Sequence, residues 1–362
     1  MSVKEYKCPC CGAGLKFDSS AQQMTCEYCN TQFAVETVKQ YNEALESERE
    51  ENFGWEEYGA DSGNGNWREG EQNGLRGYMC PSCGGEIIGD ATTAATRCPY
   101  CDNPAVMPGQ LSGMFRPDYV LPFKKSKEEA KQAFRQNCKG KWLLPKGFLD
   151  EQRMENITGI YVPFWLYDCD TDASISYNAT KVRSWSDSDY NYTKTDYFMV
   201  NRAGNVEFVK VPADGSAKMD DAYMEAIEPF HYEDLVDFDT AYLSGYLADK
   251  YDVDAEQNKP RANKRIQTSV ETLMRETVKG YSTVSVKRNN IRFFDGKVSY
   301  ALLPVWMLNT RYQNKIYTFA MNGQTGKFIG ELPVSSGRYW AFLGGFFAII
   351  SVLACLIAWF MM

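Results

Sequence analysis

Two stretches of equal length decide how this chain is built: CPCCGAGLKFDSSAQQMTCEYCN, residues 8–30, and CPSCGGEIIGDATTAATRCPYCD, residues 80–102. Each opens on a CxxC pair, runs fourteen residues, and closes on a second CxxC pair. Two such pairs at that distance form the pattern of a four-cysteine metal site. Each tight turn presents two thiolates, and two turns complete a tetrahedron with metal–sulfur bonds of about 2.3 Å. The residue after each second cysteine is Gly12, Asn30, Gly84 or Asp102. All four tolerate the positive φ that a turn wrapping its amides around a thiolate requires. The expected ligands are therefore Cys8, Cys11, Cys26 and Cys29 in one ribbon, and Cys80, Cys83, Cys98 and Cys101 in the other. Four sulfurs suit zinc, two ions per chain, with iron the minor alternative. A closed shell of four thiolates leaves no position for water, so the sites are expected to be structural. A ribbon of about thirty residues cannot bury a core and draws its folding free energy from the metal. Tyr28, Phe33, Tyr100 and Met107 are core or contact residues of the ribbons, with core the expected role.

The remaining cysteines fit no ligand spacing. Cys10 lies between Cys8 and Cys11 and reads as a spectator, while Cys138, Cys169 and Cys355 read as buried small apolar residues. The chain starts MSVKEYK, without an apolar signal segment, which points to a reducing cytosolic setting and away from disulfides.

From Tyr339 to Met362 there are 24 residues without a charge, eleven of them Leu, Ile, Val or Phe. As a helix this segment is about 36 Å long, enough for a hydrocarbon core of about 30 Å. Trp340 and Trp359 stand about 28 Å apart along its axis, one at each interface. The segment is expected to be a single-pass tail anchor in the cell membrane, with Arg338 at its entrance and the bulk of the chain cytoplasmic.

Lysine and arginine number 39 against 47 acids, a net charge of −8 that disfavours binding to polyanions. Residues 1–36 and 76–110, the ribbons themselves, are slightly acidic. The single histidine, His231, excludes mechanisms that need two imidazoles, and it sits in EPFHYEDL as a surface or helix-start residue. No GxSxG, GxxxxGK[ST], HExxH or GxGxxG motif occurs, so no enzyme and no small-molecule substrate is expected. Residues 214–239 hold nine acids and one lysine; residues 124–146 hold eight Lys or Arg against two Glu. Both read as solvated faces, with contact to anionic headgroups the alternative for the basic stretch.

The expected organisation is α+β. Zinc ribbons at 1–36 and 77–108 flank an acidic, Gly-rich linker at 37–76, which leaves them separately mobile or docked. A duplicated antiparallel body at 109–334 and the transmembrane helix at 339–362 follow. Helices are predicted at Lys127–Cys138, Asp239–Tyr251 and Ala262–Lys279, the last with Ile266, Val270, Leu273 and Thr277 on one face. Strands are predicted at Ile160–Tyr167, Tyr190–Val200, Val206–Val211, Tyr281–Lys287, Tyr300–Asn309 and Lys315–Ala320, with YTFAMNGQTGKFIGEL a hairpin. The duplication rests on an echo. VLPF (120–123) and then IYVPFWLYD (160–168) are matched by IEPF (227–230) and then ALLPVWMLN (301–309), which gives halves of about 119–215 and 227–334.

The CPCCG and CPSCG knuckles, PFWL, LLPVWMLN, NGQTGKFIGELP and the apolar C-terminus together resemble the TFIIB-type zinc-ribbon membrane proteins of Gram-positive bacteria. One branch, the YdjG type, is encoded beside a phage-shock-protein-A homologue and an SPFH-domain protein. The resemblance implies a membrane adaptor that recruits such partners during envelope stress. It carries over the eight metal ligands and no catalytic residue. The alternative is a membrane-tethered zinc-ribbon protein that binds nucleic acid.

Overall fold

The computed structural model describes residues 6, 8–10, 13–18, 21–39, 55–58, 65–90, 97–103, 107–109, 114–145, 148, 154–219, 221–313 and 315–361. In chain order its strands begin with β1 (Lys16–Asp18), β2 (Gln23–Thr25), β3 (Gln32–Phe33), β4 (Leu75–Met79), β5 (Glu86–Asp90), β6 (Met107–Gly109) and β7 (Tyr119–Val120). Helix α1 (Lys127–Cys138), β8 (Thr158–Ser186), β9 (Asn191–Asp214), α2 (Asp221–Ala226), β10 (Val236–Asp237) and β11 (Leu247–Asp249) follow. The chain continues through α3 (Ala255–Glu276), β12 (Thr283–Tyr312), β13 (Lys315–Asn322), β14 (Phe328–Gly330) and α4 (Ser336–Met361). The class is mixed α+β. The predicted Ile160–Tyr167 is part of a continuous strand of 29 residues, and the predicted Tyr281–Lys287 and Tyr300–Asn309 fall on one continuous strand of 30 residues that begins at Thr283.

Two compact units divide the chain. One gathers Met1–Glu56, Tyr167–Val211 and Pro260–Lys297; the other gathers Glu57–Leu166, Pro212–Lys259 and Val298–Met362. In the first unit, β1, β2 and β3 make the small antiparallel sheet of the first ribbon. The core of this unit joins Ile175, Tyr177, Val200 and Phe293 from the strands to Ile266, Val270 and Met274 from α3. Leu273, predicted on the buried face, is 46% exposed, and Met274 takes its place. The buried row follows i, i+4 steps from Ala262. Trp55 closes the unit, its indole N–H donating to Asn263 Oδ1 at 2.8 Å and its ring meeting Tyr167 edge-on.

In the second unit the strands run in the order β10-β7-β12-β8-β11-β5-β4-β6, and β13 and β14 extend the sheet from β12. β7 lies parallel to β12, pairing Tyr119 with Ala301; β11 lies parallel to β8, pairing Leu247 with Ile160. These two pairings reveal an internal equivalence finer than the echo in the sequence. Pro163 and Pro304 each fall three residues beyond the paired position, and Trp165 and Trp306 each fall five beyond. Trp165 Nε1–H donates to the Val253 carbonyl at 2.9 Å, and Trp306 Nε1–H donates to the Lys125 carbonyl at 2.9 Å. Val253 and Lys125 both lie six residues beyond the start of the short paired strand. Each half therefore receives the indole of the other.

The correspondence continues into the turns. Gly215 N–H donates to the Pro163 carbonyl and Gly323 N–H to the Pro304 carbonyl, both at 2.8 Å. The Gly215 carbonyl accepts from Asp252 and Val253, as the Gly323 carbonyl accepts from Lys124 and Lys125. One residue later each half caps a helix. Ser126 and Glu129 make a capping box at α1, while Asp254 and Gln257 exchange the equivalent bonds at the start of α3. The second half therefore opens at Leu247, and IEPF leads instead into the 3-10 turn Tyr232–Asp234. The helix predicted over Asp239–Tyr251 is a 3-10 turn, Thr240–Leu243, followed by β11. Gly245, at φ +80°, ends the turn, and pairing with β8 takes the backbone of Leu247 and Ala248.

Part of the segment read as a linker is bound into this unit. Tyr58 donates to Asp118 Oδ2 at 2.8 Å, and Arg116 grips Glu71 with two guanidinium nitrogens. The Arg116 hydrogen bonds hold the Glu71 carboxyl below its ordinary range.

Helix α4 has 26 residues, about 39 Å of rise. Among the described residues it is the one helix long and apolar enough to cross a membrane. Its span Ser336–Ala354 has a mean hydropathy of 1.4 and is 0% buried.

The two glycine turns differ in the room they leave. A Cβ at Gly323 would lie 2.7 Å from the Phe123 ring and 2.8 Å from Pro304 Cβ, whereas at Gly215 its nearest neighbours stand at 3.2–3.4 Å. Gly323→Ala is expected to cost about 1–3 kcal/mol through overpacking, and Gly215→Ala less. Denaturation midpoints of the two variants in detergent check the order.

Candidate metal centres

Three of the CxxC turns are described in full, and each is a knuckle whose backbone is fixed by two hydrogen bonds. Cys80 N–H donates to the Gly85 carbonyl at 2.9 Å, and Gly84 N–H returns to the Cys80 carbonyl at 2.8 Å. Cys98 with Asn103 and Asp102, and Cys26 with Thr31 and Asn30, repeat the pattern. Closing the ring requires a left-handed residue, and Asn30, Gly84 and Asp102 have φ of 55°, 70° and 57°. Gly12, predicted in the same role, lies outside the described residues.

The knuckles bring the sulfurs together. The Sγ atoms of Cys80, Cys83, Cys98 and Cys101 all lie within 4.8 Å of one another, with Cys80–Cys101 and Cys83–Cys98 both at 3.6 Å. A tetrahedron with metal–sulfur bonds of about 2.3 Å has edges of about 3.8 Å, and a disulfide would need about 2.05 Å. The tetrad thus has the size of an ion's coordination shell. In the first ribbon Cys8, Cys26 and Cys29 group in the same way, with Cys8–Cys29 at 3.7 Å; Cys11 lies outside the described residues. Cys10 is described and does not join the group; its backbone N–H instead approaches Cys8 Sγ at 3.4 Å.

Burial pushes the Cys98 and Cys83 thiols up. Burial also opposes ionisation of Cys80, but N–H groups of Cys83 and Ser82 outweigh it and bring this thiol down to about 7. Not all four can ionise together without a cation among them, so metal uptake here is coupled to proton release. Both clusters are compatible with structural metal binding.

The second ribbon is built into the sheet, not hung beside it. β5 pairs antiparallel with β11, Ile88 opposite Ala248, and Cys80, Ile87, Cys98 and Tyr100 share one core with Ile160 and Val162. Asn309, at the end of ALLPVWMLN, donates its amide to the carbonyls of Pro99 and Tyr100 and ties the last knuckle to β12. The core expectation holds for Tyr100, at 9% exposure, and fails for Tyr28, which is 83% exposed at the tip of its knuckle. Phe33 is half-buried, and the Met107 side chain lies outside the described residues. Cys138 and Cys169 are buried, as expected; the Cys355 side chain is outside the described residues. His231 is an exposed residue at the start of the 3-10 turn Tyr232–Asp234.

With this geometry in view, similarity to known proteins becomes informative. The chain is 37% identical over 343 residues to YdjG of Bacillus subtilis (strain 168), an uncharacterized protein, and the match covers 95% of this chain and 94% of that one. The chain belongs to the YdjG family. No family model matches it, and no solved structure matches it.

Two groups beside the knuckles of this YdjG-family chain escaped the sequence reading. Asn309 had a signal, since it stands three residues after Trp306 as Asp168 stands three after Trp165. Asp249 had none. It is buried at 1% exposure and accepts from Ser216 Oγ at 2.5 Å. Burial pushes its carboxyl up to about 7, against the Ser216 hydrogen bond that favours the charged form.

Elemental analysis of the purified chain is expected to find two ions per molecule. Cys98→Ser should leave one, and Cys10→Ser should leave two. Asp249 adds a pH signature. The folded chain keeps a proton that the unfolded chain releases near pH 4, so this contribution to stability is complete below about pH 4 and lost as pH rises to about 7. Melting temperatures measured across that window should fall more steeply for the wild type than for Asp249→Asn.

Proposed function

We propose that this chain is a membrane-anchored adaptor. In this reading α4 spans the cell membrane once, and the two ribbons, each closed around one zinc ion, stand with the α+β body on the cytosolic face and recruit partner proteins. The observation that carries the reading is α4, a 26-residue apolar helix with no part of its spanning window buried in protein. In water such a surface is costly; in a bilayer, helical backbone satisfies its own hydrogen bonds and the side chains match the solvent. Zinc is favoured because it is tetrahedral and takes four thiolates without redox chemistry. Sites closed in this way hold shape and do not activate water.

The partner class follows from the resemblance to the YdjG type: a phage-shock-protein-A-like protein and an SPFH-domain protein, gathered at the membrane during envelope stress. Binding of nucleic acid has less support, because ribbons with more acids than bases lack the Lys and Arg that give phosphate affinity.

The intact chain is expected in the membrane fraction, resistant to high salt and released by detergent, and a chain cut before Ser336 is expected in the supernatant. Affinity capture of the detergent-solubilised chain should retain a stoichiometric protein partner. Tight binding of DNA or RNA at physiological salt with no protein partner would move the assignment to the nucleic-acid reading.

A further inference from the structure

The loop that follows α1 is fastened to the first turns of α4. Ser335 N–H donates to the Leu143 carbonyl at 2.9 Å, and the Arg338 guanidinium donates to the carbonyls of Trp142, at 3.0 Å, and Leu144. The Trp142 ring stands edge-on to Phe342 with centroids 4.4 Å apart. Behind this contact Leu144 and Phe148 are buried in the same core as Phe134 and Leu332, so the loop is backed by packed side chains. Its outer side is different. Trp142 is 54% exposed, and Lys139 and Lys141 are exposed with no carboxylate partner among the described residues.

Phe342 is six residues into α4 and three past Tyr339, where the uncharged run begins. Trp142 is therefore held against the part of the helix that enters the apolar layer. An indole with one apolar side and one polar edge is suited to that depth. Lys139 and Lys141, three residues and one residue before it, then lie at the level of the headgroup phosphates, with long apolar stems that let each ammonium reach outward.

We propose that Lys139, Lys141 and Trp142 form a headgroup-binding site for anionic phospholipid, clamped to the anchor by Arg338. This rests on the reading of α4 as a membrane span and deepens it. A single helix fixes depth only, and this second contact fixes the rotation of the unit that carries it about the helix axis. Two cations near an anionic surface each strengthen the contact several-fold, and the indole holds it in place.

The test reconstitutes the full chain in phosphatidylcholine vesicles with graded phosphatidylglycerol, using lipids that carry a nitroxide quencher on the headgroup. Comparing wild type with Trp142→Phe isolates the emission of Trp142; comparing it with Trp340→Phe isolates that of the anchor. The expected result is that Trp142 is quenched, increasingly so with phosphatidylglycerol. The double variant K139E/K141E should shift the phosphatidylglycerol content for half-maximal quenching upward several-fold. Its melting temperature should not change, since both lysines are exposed. Quenching of Trp340 without quenching of Trp142 would overturn the headgroup site and leave the anchor standing. Trp142 quenching that ignores both phosphatidylglycerol and charge reversal would overturn the anionic assignment. Loss of Trp340 quenching would overturn the anchor, and this site with it.

Discussion

Two indole N–H bonds, crossed between the halves of a duplicated body, are what the second unit depends on. The Trp165 indole N–H donates to the Val253 carbonyl and the Trp306 indole N–H to the Lys125 carbonyl, each on the turn that leads into the other half's capped helix. A buried indole N–H left without its acceptor costs about 1–3 kcal/mol, and both indoles are buried; each accepting carbonyl also stands where a helix begins. Neither half can complete its own turn. That makes the duplication one cooperative object, with the two long strands neighbours at the centre of the sheet and the short paired strands outside them.

The second metal cluster inherits its rigidity from this arrangement. β11 is both the strand that pairs with β8 and the strand on which β5 of the ribbon is laid. A knuckle carried on β4 and β5 thus stands on the sheet's hydrogen-bond ladder, and Asn309 fixes the opposite knuckle to β12. A thirty-residue ribbon is short of apolar area on its own. Here Ile87 and Tyr100 join the body's core, so metal and core stabilise the same strands. The buried Asp249 lies at this junction, between Ser216 and Tyr100, where its protonation answers to folding.

Much of this was legible in the residues, and the reasons differ from one element to the next. The knuckles were legible because metal geometry allows few spacings and few residues at positive φ. Lys127–Cys138 was legible because a capping box and an apolar face agree. Helix α3 begins at Ala255, seven residues before the predicted Ala262; Pro260 disfavours a helix interior, and the Asp254–Gln257 cap carries the helix past it. Asp239–Tyr251 has helical periodicity in Tyr242, Leu243, Tyr246 and Leu247, yet a parallel partner strand far away in sequence takes the backbone there. Periodicity cannot report a partner. The echo of PFW and PVW was visible, but its true starting points are Tyr119 and Leu247, marked by pairing and not by proline.

Charge gives the last constraint. A chain at −8 brought close to an anionic bilayer is repelled by it as a whole, and an anchor alone does nothing to reduce that repulsion. The sequence gathers eight of its 39 basic residues into positions 124–146, the stretch whose end is fastened to the root of α4. At physiological salt charges act over about 8 Å. Under the proposed anchoring only residues beside the root of α4 would feel it strongly. There Lys139 and Lys141 are exposed cations, whereas Lys124, Lys125 and Lys131 are already paired with Asp234, Glu129 and Glu155. A net acidic body and a locally basic root are therefore compatible. In the proposed membrane reading, the first disfavours indiscriminate binding to polyanions, and the second lets the chain stand against an anionic bilayer surface.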